Sequence, residues 1–226
     1  PPQQEAGDCC CTIIVRPGED IQAGIDALPP RGGCVCLKTG DHVVRAPLRI
    51  TRGSIVLKAE SPGTTVRAAA SGPVLIIGGG EGRIEGVDVL GIDFEAGSAG
   101  VDGAGVITVI RASRVRISHC GVTAKENRTF LGLVAQASDH LSVHSSRFAN
   151  LAGGMLVRER CKDFEADGNI VENTGRDIAV FGIAYMESAF ACRISRNWVS
   201  GASFGIIVND RPFDEADSLA DLSLVT

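Results

Sequence analysis

Large flexible and aromatic side chains are scarce in these 226 residues, which hold two Met, one Trp and one Tyr against 28 Gly. A helical bundle needs bulky side chains to fill the space between its helices, so this composition favours many short strands joined by tight turns. Basic residues are also few: 22 Lys and Arg face 27 Asp and Glu, for a net charge of −5. No broad positive face exists to neutralise a phosphate backbone, which argues against nucleic acid as a partner. No apolar run reaches the roughly 18 residues of a membrane span, and residues 1–8 lack the basic and apolar regions of a secretory leader. A soluble chain with no membrane span is expected.

What is present is a repeat. Five segments open on glycine and continue as an apolar alternation: Gly105-Val-Ile-Thr-Val, Gly132-Leu-Val-Ala-Gln, Gly154-Met-Leu-Val-Arg, Gly182-Ile-Ala-Tyr-Met and Gly205-Ile-Ile-Val-Asn, spaced by 27, 22, 28 and 23 residues. Each of the first four is followed by a second strand-like piece, at Val115–Ser118, Leu141–His144, Phe164–Asp167 and Cys192–Ser195. After a two-residue turn comes a third, at Gly121–Ala124, Arg147–Asn150, Ile170–Asn173 and Trp198–Ser200. Three strands in a unit of about 22 residues is the period of a parallel β-helix, whereas leucine-rich and helical repeats carry a helix in each unit. A β-sandwich is the alternative, but it requires hairpins. Asp167-Gly168 is the exception to their near absence, and it shares its repeat position with Arg196-Asn197 and Ser145-Ser146.

Upstream, Ser54–Lys58, Thr65–Arg67, Pro73–Ile77, Val87–Leu90 and Ile92–Phe94 continue the coils less regularly. Before them, Glu19–Leu28 predicts a short helix with Ile21, Ile25 and Leu28 on one face, stopped by Pro29-Pro30. One apolar stripe suits a cap on the open first coil of a solenoid. The reading is one domain over 1–226: an N-terminal strand and cap helix (1–33), coils (34–210), and a tail (211–226) read as an incomplete last coil.

The run Pro17–Gly33, the following Val35–Gly40 and the repeated Gly-Ile/Leu strands resemble bacterial right-handed parallel β-helix proteins of the pectate-lyase-like superfamily, over roughly residues 11–210. That resemblance implies a right-handed β-helix and an extracellular or cell-surface setting. It does not select a reaction, because the superfamily holds lyases, hydrolases, epimerases, phage tailspikes and non-catalytic modules. Its asparagine stack in the turn after the second strand is matched at Asn169 and Asn197, with Ser146 and Cys120 in the same register. Its polysaccharide-processing members place the substrate groove on the first-strand sheet between long loops.

The longer spacings mark two inserted loops here, 125–130 and 173–180, flanking that sheet. Alternation places Ile107, Val109, Val134, Gln136, Leu156, Arg158, Ala184, Met186, Ile207 and Asn209 on its outer surface. So apolar a face would be covered by a loop, by another subunit in a homo-oligomer, or by a sugar ring. The residues five after each glycine are Ile110, Ala137, Glu159, Glu187 and Asp210, a column with three carboxylates on consecutive coils. Strands lie ~4.8 Å apart, so these charges favour a bound cation such as calcium, or neighbouring arginines.

The functional expectation is a site for an acidic polysaccharide or oligosaccharide, acted on by a lyase or hydrolase. Arg158, Arg176, Glu187 and Asp210 are its candidate catalytic residues. Lys125, Arg128, Gln136, Asp177 and Asn209 would bind substrate, and Glu159, Glu187 and Asp210 the metal. The bland reading is a solvated turn with surface ion pairs. Paired-Asp hydrolase motifs and the Asp-Pro-His-Glu of alginate epimerases are missing. Together with the lack of an evident cap at Asp217–Thr226, this supports the alternative of a structural or adhesion module of a larger surface or phage-like protein.

His42, His119, His140 and His144 share no register and read as surface or turn histidines. Cys9, Cys10 and Cys11 should neighbour Cys34 and Cys36, where buried packing, two disulfides or a four-thiolate zinc site all fit. Cys120, Cys161 and Cys192 read as isolated core or turn thiols.

Overall fold

A computed structural model describes residues 9–97, 105–124, 131–172, 179–186 and 190–208. The chain winds into a parallel β-solenoid of about seven turns with three sheets. Among the described residues the second-strand sheet has eight strands, running from Ile13–Val15 to Phe190–Ser195. The first-strand sheet has seven, from Leu48–Ile50 to Ala202–Val208, and the third-strand sheet seven, from Gly40–Val44 to Trp198–Ser200. Every strand pairing among the described residues is parallel, which rules out the sandwich.

Inward residues of the three sheets form one continuous core, with Val87, Val115, Leu133, Phe148, Ile183 and their neighbours fully buried. The expected helix is shorter than its apolar stripe: it spans Ile21–Asp26, with Asp20 accepting from the Gln22 and Ala23 amides as N-cap. Ile21, Ile25 and, just past the helix, Leu28 nevertheless join the core.

The register corrects one step of the repeat. Gly105 pairs with Leu131, and Ile107 with Leu133. The partner of Gly132 is therefore Val106, and the first spacing is 26 residues rather than 27. Ile107 and Val109 consequently point into the core at 0% exposure, not outward. Three of the later glycines, Gly132, Gly154 and Gly182, are required by packing. A Cβ on Gly154 would lie 2.4 Å from the Gly182 carbonyl oxygen and 2.7 Å from a Val171 methyl. Gly132 and Gly182 meet the same obstruction in their own coils.

The turn between the second and third sheets carries a hydrogen-bonded ladder. The Cys120 amide donates to Ser146 Oγ (3.2 Å), the Ser146 amide to Asn169 Oδ1 (3.0 Å), and the Asn169 amide to Asn197 Oδ1 (2.9 Å). From Gly91 onward, the turns open on a left-handed residue: Gly91, His119, Ser145, Gly168 and Arg196. Serine serves in the stack because its hydroxyl also accepts an amide while donating back to the His144 carbonyl at 2.9 Å.

At the N-terminal end Cys11 is disulfide-bonded to Cys36. The preceding segment is held by Lys58 Nζ donating to the Cys9 carbonyl at 2.8 Å. Burial first, then the adjacent Cys9, pushes the Cys34 thiol up to about 12. With Cys11 and Cys36 joined, Cys9, Cys10 and Cys34 are the thiols left in this cluster.

Candidate functional site

Three residues expected at the first-strand site lie in the described structure, and it brings them together. Gln136 and Arg158 are paired neighbours at the ends of Leu131–Gln136 and Gly153–Arg158, and Glu159 begins the following corner. Gln136 Nε2 donates to Glu159 Oε1 at 3.2 Å, and Arg158 Nε lies 3.6 Å from the same oxygen. Arg158 Nε is buried without a hydrogen-bond partner among the described residues. Glu159 and Arg160 both take left-handed backbone, with φ of 58° and 62°. At the equivalent corners Arg111 and Ala137 do so singly, and where two successive residues do so, at Gly78 and Gly79, both are glycine. Consecutive non-glycine residues in that region are costly, and such strain clusters at functional positions.

The column beneath Glu159 differs from expectation. Because of the Gly105 slip, Arg111 rather than Ile110 aligns with Ala137 and Glu159, as backbone bonds from Arg111 N to Gln136 O and from Ala137 N to Glu159 O require. On the described coils Glu159 therefore stands above a neutral residue and then a cation. Glu187 and Asp210 lie outside the described residues, as do Lys125, Arg128, Arg176, Asp177 and Asn209. Among the described residues no three His, Cys, Asp or Glu side chains are grouped to hold a metal ion.

The apolar outer face is not an open groove. Leu131, Val134, Phe181, Ala184, Met186 and Ile207 form a second hydrophobic cluster, all 8% exposed or less, with Leu156 and Phe204 packed against it. Gly153 admits the Phe181 ring, which a Cβ there would meet at 2.6 Å. Among the described residues, Gln136, Arg158 and Glu159 form a polar edge beside this cluster.

The histidines divide. His42 is buried, correcting its placement at the surface: strand alternation puts it inward with Val44, and its Nε2 bonds the Lys38 carbonyl at 2.8 Å. His140 and His144 instead lie near carboxylates on the next coil, 3.3 Å from Asp163 and 3.9 Å from Glu165. His119 is exposed at its turn. Cys120 and Cys161 are buried in turns, and burial pushes each thiol up to about 11.

No protein-family model and no curated protein matches the sequence. Solved structures do. ORF18 of Geobacillus virus E2 is 14% identical, with a TM-score of 0.62 over 87% of this chain. The chain spans 48% of that protein, about half its length. A glycosyl hydrolase-like protein of Parabacteroides merdae is 9% identical, with a TM-score of 0.65 over 80% of this chain and 87% of its own. A pectin methylesterase of Aspergillus niger is 10% identical and superposes more loosely, at 0.48 over 99% and 93%. At such identities the likeness speaks to fold alone. The protein is a parallel β-solenoid with three sheets, a fold it shares with the viral and Parabacteroides proteins.

Proposed function

We propose that the protein binds a polysaccharide at the corner formed by Gln136, Arg158 and Glu159. The meeting of an amide, a guanidinium and a carboxylate beside consecutive left-handed residues carries this reading. Such groups recognise hydroxyls and carboxylates of an acidic glycan, with Arg158 supplying the charge-assisted contact. Arg176, Glu187 and Asp210 would join it as catalytic partners, and Lys125, Arg128, Asp177 and Asn209 as substrate contacts, if the chain is a lyase or hydrolase. Calcium bound by Glu159, Glu187 and Asp210 would neutralise the uronate charge. The helix Ile21–Asp26 would close the N-terminal end of the core.

The test is a screen of oligogalacturonates, alginate oligomers and neutral oligosaccharides, with and without calcium, on the wild type and on Arg158→Ala and Glu159→Gln. Binding weakened by both substitutions is expected. Absence of binding by the wild type, or binding indifferent to both, would end the reading. The buried apolar cluster on the outer face favours a second one, a structural module without turnover, for which the same screen would return binding or nothing but no product.

A further inference from the structure

The third-strand sheet presents an outer column that neither the repeat nor the first-strand site accounts for. One residue from each coil stands in register along it: Thr65, Asp93, Gly121, Arg147, Ile170 and Trp198. Its lower half is a depression of about 580 Å³, within the size range of small-ligand sites. Gly121 makes the floor. A Cβ there would lie 2.2 Å from Asp93 Oδ1, so the carboxylate leans into space that only glycine leaves free. Asp93 and the His119 ring, both lining the depression, have no hydrogen-bond or ion-pair partner among the described residues, and Thr123 and Ser145 add hydroxyls. Its upper half is apolar and open: Trp198 is 56% exposed and Ile170, directly beneath it, 40%.

An exposed indole beside a row of carboxylate, imidazole and hydroxyl groups matches the two sides of a pyranose, whose C–H face stacks on an aromatic ring while its hydroxyls exchange hydrogen bonds. The column advances by one coil, ~4.8 Å, at each step. That rise is close to the length of one sugar unit, so an extended chain along the axis would meet each coil in turn.

Charge selects the class. Arg67 is held by Glu95 at 2.9 Å and by Asp41 at 3.8 Å, and Arg147 by Glu172, which leaves Asp93 as an uncompensated anion. A uronate would find no free cation on this face among the described residues. We infer that the third-strand sheet is a binding face for a neutral oligosaccharide, stacked on Trp198 and hydrogen-bonded in the depression above Gly121. The ligand class rests on the carbohydrate reading above, but the face, the residues and the charge preference differ.

Trp198 is the only tryptophan of the chain, so its emission reports this face directly. Cellohexaose, xylohexaose and an oligogalacturonate are titrated into the wild type by fluorescence and calorimetry. Arg158→Ala, Asp93→Asn, Gly121→Val and Trp198→Ala are titrated by calorimetry, with circular dichroism as the folding control. A saturable emission change with a neutral hexaose is expected, weakened about tenfold in Trp198→Ala. Asp93→Asn and Gly121→Val should weaken it as well. Binding lost in Arg158→Ala yet intact in Trp198→Ala places the glycan on the first-strand edge and overturns this inference alone. No binding of any probe overturns both readings. A dimer in sedimentation that Trp198→Ala dissociates would assign the face to a second copy of the chain and overturn the glycan.

Discussion

Replacing Asn169 by alanine tests whether the turn ladder holds the coils together. Its side chain accepts from the Ser146 amide at 3.0 Å, and donates to the Val143 carbonyl and to Asn197 Oδ1, each at 2.9 Å. Asn197 Oδ1 keeps a partner after truncation, because the Asn169 amide still reaches it at 2.9 Å. The Ser146 amide loses its partner, at a site where Asn169 itself is 0% exposed. One buried amide left unpaired costs about 2 kcal/mol, a fall of roughly 4–8 °C in melting temperature for a chain of this length.

Solenoids can unfold coil by coil, so thermal melting is paired with hydrogen exchange, which should show the Ser146 amide losing protection before the distant Val35 strand does. Asn169→Ser is the informative control. At position 146 a serine already accepts the amide of the preceding coil, so a serine at 169 should retain the Ser146 bond and most of the stability. A melting temperature within about 2 °C of wild type in Asn169→Ala, with Ser146 still protected, would refute the ladder as a stabilising device.

Other consequences are measurable with equal directness. Thiol titration of the denatured, unreduced protein should find six free thiols of eight cysteines, and reduction should lower stability by roughly 3–4 kcal/mol for a closure of 25 residues. Eight thiols before reduction would remove the Cys11–Cys36 bond. Gly154→Ala should cost about 2 kcal/mol, because its Cβ meets backbone, while Gly205→Ala, which meets nothing within 4 Å, should be nearly neutral in denaturant unfolding; equal losses would contradict the packing account. Hydrogen bonds from Arg196 and then Ser195 hold the Asp167 carboxyl at about 2, below an ordinary value of about 4. A depressed carboxyl favours folding fully above pH ~4 and ceases to do so as pH falls towards 2. In Arg196→Ala an NMR titration of Asp167 should therefore move upward, and an unmoved midpoint would show that Arg196 is not the cause.

The coil period was readable from the chain because every core position in a solenoid obeys the same local rule. Val115, Leu141 and Phe164 differ in size, yet each sits inward in a strand that begins and ends where the alternation begins and ends. The exception is instructive. Gly105 opens a strand as Gly132 does, but Gly132 is inward against Phe148, while Gly105 aligns with outward Leu131. One letter stood for two physical demands, and spacing alone could not separate them. His42 was misplaced for a related reason: Asp41-His-Val-Val is polar enough to pass for a turn, and only its pairing with Val66 fixes it inward.

The third-strand face stayed hidden because its residues share no chemistry. Inside that sheet the repeating position reads Phe94, Val122, Phe148, Val171 and Val199, a uniform apolar set that packing enforces. One residue earlier, on the same strands, the outward position reads Asp93, Gly121, Arg147, Ile170 and Trp198. A residue whose neighbours in the core are fixed leaves a signature that recurs, whereas one facing outward is free to differ from coil to coil. Diversity in an outward column, seen against uniformity one residue away, is therefore where binding specificity can be built in a solenoid without disturbing its winding. Such a column becomes legible only when the register that aligns residues 23 to 28 positions apart is known.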